Sequence, residues 1–313
     1  AVANGMNVLM NRPMPVEPIN VALIQPNIPL SVKWDRAQDQ KTIDTLHALT
    51  TAAGRLDGLD LIIWPETALP DFLHRSPACR ALVRDSLATG IPLLAGGMDV
   101  VQGEERRTYY NSSFLFNPEG EIAATYYKQH LVPFGEYVPF PGLMSVFTPI
   151  EADFGSGTES TLMPLPGKAS FSVLICFEDI VAPLAANAVR AGARWLVNQT
   201  NDGWFDPSAQ SEQHLAHAVF RCVENRVPMA RCCNSGVTGI IDAFGNVERK
   251  LAPLTGGFTT GYIQPRPSAA EKTYYTRHGN VVGKLSLLGA AGVFVMLGGR
   301  IRIKRKARAA EAD

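Results

Sequence analysis

The stretch Phe171-Ser172-Val173-Leu174-Ile175-Cys176-Phe177-Glu178-Asp179 decides the fold. An apolar run of that length, rich in β-branched residues, reads as a buried strand. It carries a cysteine to its end, directly before two acids, and open α/β sheets keep their ligand sites at the carboxyl ends of central strands. Two readings of Cys176 follow. It is either a small hydrophobe in the core, as free cysteines commonly are, or a nucleophile facing a ligand.

Other strand ends bear on that choice. Leu61-Ile62-Ile63-Trp64-Pro65-Glu66-Thr67-Ala68 is a second buried strand, stopped by proline and presenting Glu66 as it ends. A lone glutamate in that position commonly caps a helix or pairs with an arginine. Tyr109 to Phe116 and Glu121 to Tyr127 form a hairpin around Asn117-Pro118-Glu119-Gly120, and its second arm delivers Lys128. Further strands are expected at Ile19 to Gln25, Ile91 to Gly96, Trp195 to Gln199, Pro228 to Cys233, Val237 to Asp242 and Phe258 to Ile263. Helical patterns at Asp39 to Ala53, Pro77 to Thr89, Ala182 to Ala191 and Ser211 to Arg226 alternate with them. The sum is an α/β protein with layered sheets. Pro26-Asn27-Ile28-Pro29 is loop by its prolines, and Lys33-Trp34-Asp35 is expected to continue it.

At 313 residues, 46% hydrophobic and 19% charged, the chain buries a large core as one domain or two. Its net charge of zero hides an asymmetry. Arg300, Arg302, Lys304, Arg305, Lys306 and Arg308 face only Glu311 and Asp313 beyond residue 299, so the rest of the chain is acidic. Nothing outside that tail resembles a nucleic-acid surface, and no nucleic-acid partner is expected. Leu285 to Gly299 is uncharged and apolar, and Val281, Val282 and Ile301 extend it towards the roughly 20 residues that a membrane span needs. The basic residues after it are what the positive-inside rule places in the cytoplasm. A buried C-terminal helix with a solvated tail is the other reading. The amino end has no initiator Met and no signal-peptide pattern, so Ala1 is expected to be a start inside a longer chain.

The five cysteines, Cys79, Cys176, Cys222, Cys232 and Cys233, show no zinc-like spacing. His214 and His217 stand three apart on a helix with no ligand spaced to complete a metal site, and neither a metal nor a cofactor is expected.

Glu66, Lys128 and Cys176 each have a structural reading, but together they have the chemistry of acyl transfer. A cysteine attacks best as thiolate, a carboxylate takes its proton, and a buried cation stabilises the thiolate and the oxyanion. Glu, Lys and Cys in that order, with these local motifs, resemble the nitrilase, or C–N hydrolase, superfamily. Trp-Pro-Glu-Thr-Ala (64–68), Lys-Gln-His-Leu-Val-Pro-Phe-Gly-Glu-Tyr-Val-Pro (128–139), Cys-Phe-Glu (176–178) and Asn-Asp-Gly-Trp-Phe (201–205) are similar to its apolipoprotein N-acyltransferase branch.

The resemblance implies an αββα sandwich followed by one C-terminal transmembrane helix. It divides the chain into a connecting segment (1–18), a catalytic domain (19–265), a linker (266–280), a membrane helix (281–303) and a basic cytoplasmic tail (304–313). It implies Glu66 as base, Lys128 as electrostatic stabiliser, Cys176 as nucleophile, supporting roles for Glu136 and Glu178, and Trp34 near the lipid pocket. The residue after the cysteine is often Tyr in that branch and is Phe177 here, so a hydroxyl is absent; the Phe177 N–H is a candidate oxyanion donor.

The reaction implied has two steps. Cys176 takes an acyl chain from a phospholipid as a thioester, and the amine of a diacylglyceryl-cysteine lipoprotein then accepts it. The implied setting is a bacterial inner membrane with the catalytic domain on the outer, periplasmic face. A soluble amidase acting on a small amide is the alternative within the superfamily, and a non-catalytic membrane-tethered module is a third. The apolar run from Val132 to Phe147 and the C-terminal span speak against the amidase, since neither serves a small polar substrate.

Overall fold

The computed structural model describes residues 16–33, 35–103, 107–137, 154–205, 208–268 and 271–310. Eleven strands are found among them: β1 (Ile19–Gln25), β2 (Leu61–Ile63), β3 (Leu93–Gln102), β4 (Arg107–Phe116), β5 (Ile122–Tyr127), β6 (Ser172–Ile175), β7 (Leu196–Thr200), β8 (Met229–Cys233), β9 (Thr238–Ile241), β10 (Val247–Leu251) and β11 (Gly257–Ile263). They form a six-stranded sheet in the order β11-β1-β2-β3-β4-β5 and a five-stranded sheet in the order β10-β9-β8-β7-β6. Each has a parallel core, β1-β2-β3 in one and β6-β7-β8 in the other, flanked by antiparallel strands.

The period-two rule sorts the side chains into layers. Val21 and Leu23 of β1 point towards the second sheet and meet Val173, Ile175, Val197 and Cys232 in a core shared by both sheets. Ala22 and Ile24 point the other way. They pack under helices α2 (Asp39–Ala53) and α3 (Pro77–Leu87), which follow a short helix α1 (Leu30–Lys33), with Leu46, Leu82 and Val83 supplying the helical side. On the far side Leu174, Leu196 and Met229 meet Ala185 and Val189 of α4 (Ala182–Ala191) and Leu215, Ala218 and Cys222 of α5 (Gln210–Asn225). The result is the expected αββα sandwich. Each of its fully buried large side chains, such as Trp64 and Trp195, contributes roughly 2–3 kcal/mol by leaving water.

Two local expectations change, and one strand is added. Lys33 ends the short helix α1 instead of lying in a loop. Strand β3 runs to Gln102, because it pairs along the whole of β4, from Leu93 opposite Phe116 to Gln102 opposite Arg107. Strand β10 carried no apolar pattern to read: Val-Glu-Arg-Lys-Leu is a charged, mostly exposed edge, the composition that keeps an edge from pairing with another chain.

After β11, helix α6 (Tyr274–His278) packs on α4 and α5. Thr273 Oγ1 donates to Glu224 O at 2.7 Å and Thr276 Oγ1 to Asn225 Oδ1 at 2.8 Å. Helix α7 (Val281–Ala310) follows, and its segment Val281–Gly298 is long and apolar enough to cross a membrane, with none of it buried against the domain. Phe294 is 81% exposed.

Candidate active site

Strand ends gather the chemistry. Lys128 follows β5, Glu66 lies just beyond β2, and Cys176 opens a 3-10 turn, Cys176–Ile180, directly after β6. Cys176 has φ 52° and Thr67, beside Glu66, has φ 43°, a backbone region that costs β-carbon-bearing residues about 1–3 kcal/mol. Sharp turns at both strand ends aim the adjoining side chains into one cavity of about 550 Å³. Its walls include Glu66, Lys128, Glu136, Cys176 and Phe177, five of the expected site residues. Gly96 of β3 makes the first turn possible, since a Cβ there would overlap Pro65 O and press on the Glu66 backbone.

Lys128 is 1% exposed and sits between two carboxylates, 2.8 Å from Glu136 Oε1 and 3.5 Å from Glu66 Oε1. Burial opposes its charge, but Glu66, Cys176 and Glu136 outweigh burial and hold the ammonium above the usual lysine range. Asn111 of β4 ties the two acids together, donating from Nδ2 to Glu66 Oε1 at 2.8 Å and to Glu136 Oε1 at 3.1 Å. Behind Glu66, Lys33 donates from Nζ to the Glu66 carbonyl at 3.0 Å. Burial pushes its ammonium down to about 8, against the pull of Glu66.

Burial also pushes the Cys176 thiol well up; the Glu66 charge adds to this and Lys128 opposes it. At rest the group is a thiol with a carboxylate and an ammonium sharing its cavity. Such a set can pass a proton from sulfur to carboxylate and place a cation beside negative charge formed at an attacked carbonyl.

Glu178 stands apart from the cavity. It is fully buried and accepts from the N–H groups of Ile175, Gln129 and His130 at 2.7, 2.6 and 3.0 Å, and from Tyr126 Oη at 2.8 Å. It thereby staples the Cys176 strand to the Lys128 strand. Burial raises its pKa, and these four donors work against that. Trp34 and the run from 138 to 147 lie outside the described residues.

Two wall residues, Asn111 and Phe154, lie outside the quoted motifs, and three more, Thr67, Asn201 and Trp204, lie inside them without an assigned role. Asn111 left a signal, a lone amide inside the β-rich run from Tyr109 to Phe116. Among the described residues no group of His, Cys, Asp and Glu is arranged to hold a metal ion, and all five cysteines are free.

Two facing sheets clad by helices, with a cysteine on a strained turn beside a glutamate and a lysine, define an αββα sandwich of the nitrilase fold. Residues 20–266 match the profile of the family described as Carbon-nitrogen hydrolase, and the chain belongs to that family. It is 37% identical over 282 residues to the apolipoprotein N-acyltransferase of Geobacter metallireducens, covering 88% of this chain and 53% of that protein. Against the protein of the same name from Brucella melitensis it is 36% identical over 261 residues, covering 80% and 48%. The chain thus spans about half the length of the curated relatives it matches. Among solved structures it resembles Saccharomyces cerevisiae Nit3, a member of branch 10 of the nitrilase superfamily, with TM-score 0.61, 18% identity and coverage of 80% of this chain and 91% of that one. An amidase from Nesterenkonia sp. gives TM-score 0.59 at 17% identity, covering 88% and 98%. At those identities the likeness is one of fold.

Proposed function

We propose that the chain is the catalytic part of an apolipoprotein N-acyltransferase. Cys176 attacks the ester carbonyl of a phospholipid, forming a thioester and releasing a lysophospholipid. The α-amine of a diacylglyceryl-cysteine at a lipoprotein's amino end then attacks the thioester and takes the acyl chain as an amide. Glu66 accepts the thiol proton in the first step, returns it to the leaving alkoxide, and accepts the amine proton in the second. Lys128 stabilises the oxyanion of each tetrahedral intermediate with the Phe177 N–H, while Glu136 and Asn111 hold Lys128 and Glu66 in register. Glu178 fixes the two strands that carry Lys128 and Cys176.

The single observation that carries this reading is the convergence of Glu66, Lys128 and Cys176 on one cavity, in a chain whose relatives bear that enzyme's name. The exposed apolar face of Val281–Gly298 supports a membrane setting, and the exposed Phe134 and Trp204 at the cavity suit an acyl chain better than a small polar amide. In this reading α7 crosses the inner membrane, with the catalytic domain outside the cytoplasm and the basic tail inside.

The test is a transfer assay on the protein expressed from its full reading frame, in phospholipid vesicles, with a diacylglyceryl-cysteine peptide as acceptor. The expected product is the peptide heavier by one acyl chain, in a reaction abolished by Cys176→Ala. Release of ammonia from small amides, with the peptide unchanged, would assign the chain to amidase chemistry instead.

A further inference from the structure

Beneath the Cys176 turn lies a charged cluster that the proposed reaction does not use. His214 of α5 is 1% exposed, and each of its ring nitrogens faces a carboxylate oxygen: Nε2 stands 2.8 Å from Asp179 Oδ1 and Nδ1 2.9 Å from Asp202 Oδ1. The second oxygens of the same two acids accept from Arg231, Asp179 Oδ2 at 2.8 Å and Asp202 Oδ2 at 3.2 Å. A neutral imidazole has one N–H and one lone pair, and its lone pair would then point at an anionic oxygen. The arginine forms a salt bridge with both acids, and although burial works against the charge, Arg231 and His214 hold the Asp202 carboxyl down at about 2. Two N–H donors on His214 satisfy both contacts. They also make the buried quartet neutral, two cations against two anions, which is the condition for burying charge at all.

We propose that His214 is a positioning residue: as an imidazolium clamped between Asp179 and Asp202, it fixes the turn that carries Cys176 and the Phe177 ring that walls the cavity. Asp179 lies inside the Cys176–Ile180 turn, so the clamp grips that turn directly. The Phe177 ring lies stacked on the His214 ring, with centroids 4.7 Å apart and planes 18° apart, within the range where a cation holds an aromatic face. On the other side of the cluster, Arg231 Nη1 donates to Asn198 Oδ1, and Asn198 Nδ2 donates to the carbonyls of Leu174 and Cys176 at 3.1 Å each. The backbone on both sides of Cys176 is thus tied to the quartet.

The charges facing His214 come from three elements packed on α5: Asp179 from the Cys176–Ile180 turn, Asp202 from the Asp202–Phe205 turn and Arg231 from β8. Arg221, on α5 itself, donates to the carbonyls of Asp179 and Ile180, and Cys176 and Cys233 stand near Arg231. The charged residues of α4 and α6, Arg190, Arg277 and His278, belong to the other end of α5, where Arg190 bonds Thr276 O and Thr273 bonds Glu224 O. Strand β9 brings no charge.

The role in positioning rests on Cys176 being the nucleophile; the protonation state does not, and the experiment reads the two separately. The protein, labelled with ¹⁵N at histidine, is followed by NMR across pH 6 to 9, with His214→Gln identifying the signal. Both ring nitrogens of His214 are expected to carry protected N–H protons at neutral pH. In parallel, acyl uptake by Cys176 from phospholipid is timed in single turnover. His214→Gln, which offers a single donor nitrogen, an acceptor oxygen and no charge, is expected to slow it by about 10–100-fold, the usual effect of losing a group that orients a reacting one. The wild-type rate is expected to fall on the alkaline side together with the N–H signals, and the variant to lack that limb. A bare ring nitrogen at pH 7 overturns the clamp, and so does a His214→Gln variant with the wild-type rate and pH profile. If both N–H signals are present and wild-type Cys176 takes up no acyl group, the clamp stands and the acyl-transfer reading falls.

Discussion

Replacing Lys128 by Met removes the only cation that lines the cavity among the described residues. Its partners stay behind: Glu136 and Glu66, whose side chains are 14% and 9% exposed, keep the shared amide of Asn111 and, for Glu136, the Val132 N–H, but no cation. Breaking a buried ion pair from one side costs about 3–5 kcal/mol. Domains hold about 5–15 kcal/mol in reserve, so the variant folds at 25 °C but melts lower, by roughly 10 °C. Loss of one oxyanion donor slows acylation by about 10²–10³-fold, or about 3–4 kcal/mol. The two effects have the same origin in this variant and are separated by a second substitution. In Lys128→Met/Glu136→Gln one orphaned carboxylate is gone, so most of the melting temperature returns, while the cation and hence the rate do not. Thermal unfolding and single-turnover acyl uptake on both variants read the two terms. Recovery of the rate in step with the melting temperature would refute the reasoning and make Lys128 a structural counter-ion.

Three further outcomes are expected. Gly96→Ala pushes its new Cβ into Pro65 O and the Glu66 backbone; overpacking of this kind costs about 1–3 kcal/mol, and acyl uptake should fall while iodoacetamide still labels Cys176. Native protein should take up a single iodoacetamide, because Cys176 is 7% exposed and the other four cysteines are 0%. Labelling should be slow at pH 7 and quicken as pH rises, since burial and then Glu66 hold that thiol's pKa up; tryptic mapping to another cysteine would contradict the geometry. Asp202 carries a carboxyl lowered from 3.8 to about 2 by Arg231 and His214, against burial. A lowered pKa stabilises above the unfolded value and is lost as pH falls through the folded one, so about 2 kcal/mol should disappear between pH 4 and 2, and Asp202→Asn should flatten that part of an acid-unfolding profile.

Sequence reading works where the information is local. The run from Phe171 to Asp179 carries its own period, and the structure places β6 within it and starts the Cys176 turn there, ending it one residue later at Ile180; the pattern from Asp39 to Ala53 coincides with α2 to the residue. Three strand ends bearing Glu66, Lys128 and Cys176 were visible one by one, and the sheets bring them to one cavity. What stayed hidden was pairing across the chain. Asn111 meets Glu66 across 45 residues, Lys33 reaches its carbonyl across 33, and Arg231 meets Asp179 across 52. No spacing rule links such residues, because the contacts exist only once strands from distant parts of the chain lie side by side. His214 shows the same limit: its spacing from His217 says nothing of Asp179 and Asp202, the two acids between which it is buried.

In the proposed reaction Cys176 carries an acyl chain, and water is kept from it until an amine arrives. Protein from the full reading frame, incubated in phospholipid vesicles without acceptor, is weighed intact by mass spectrometry. One acyl adduct is expected, mapped to Cys176, removed by hydroxylamine, absent in Cys176→Ala and discharged by a diacylglyceryl-cysteine peptide far faster than by water. Rapid discharge by water alone, or no adduct alongside turnover of small amides, would contradict it.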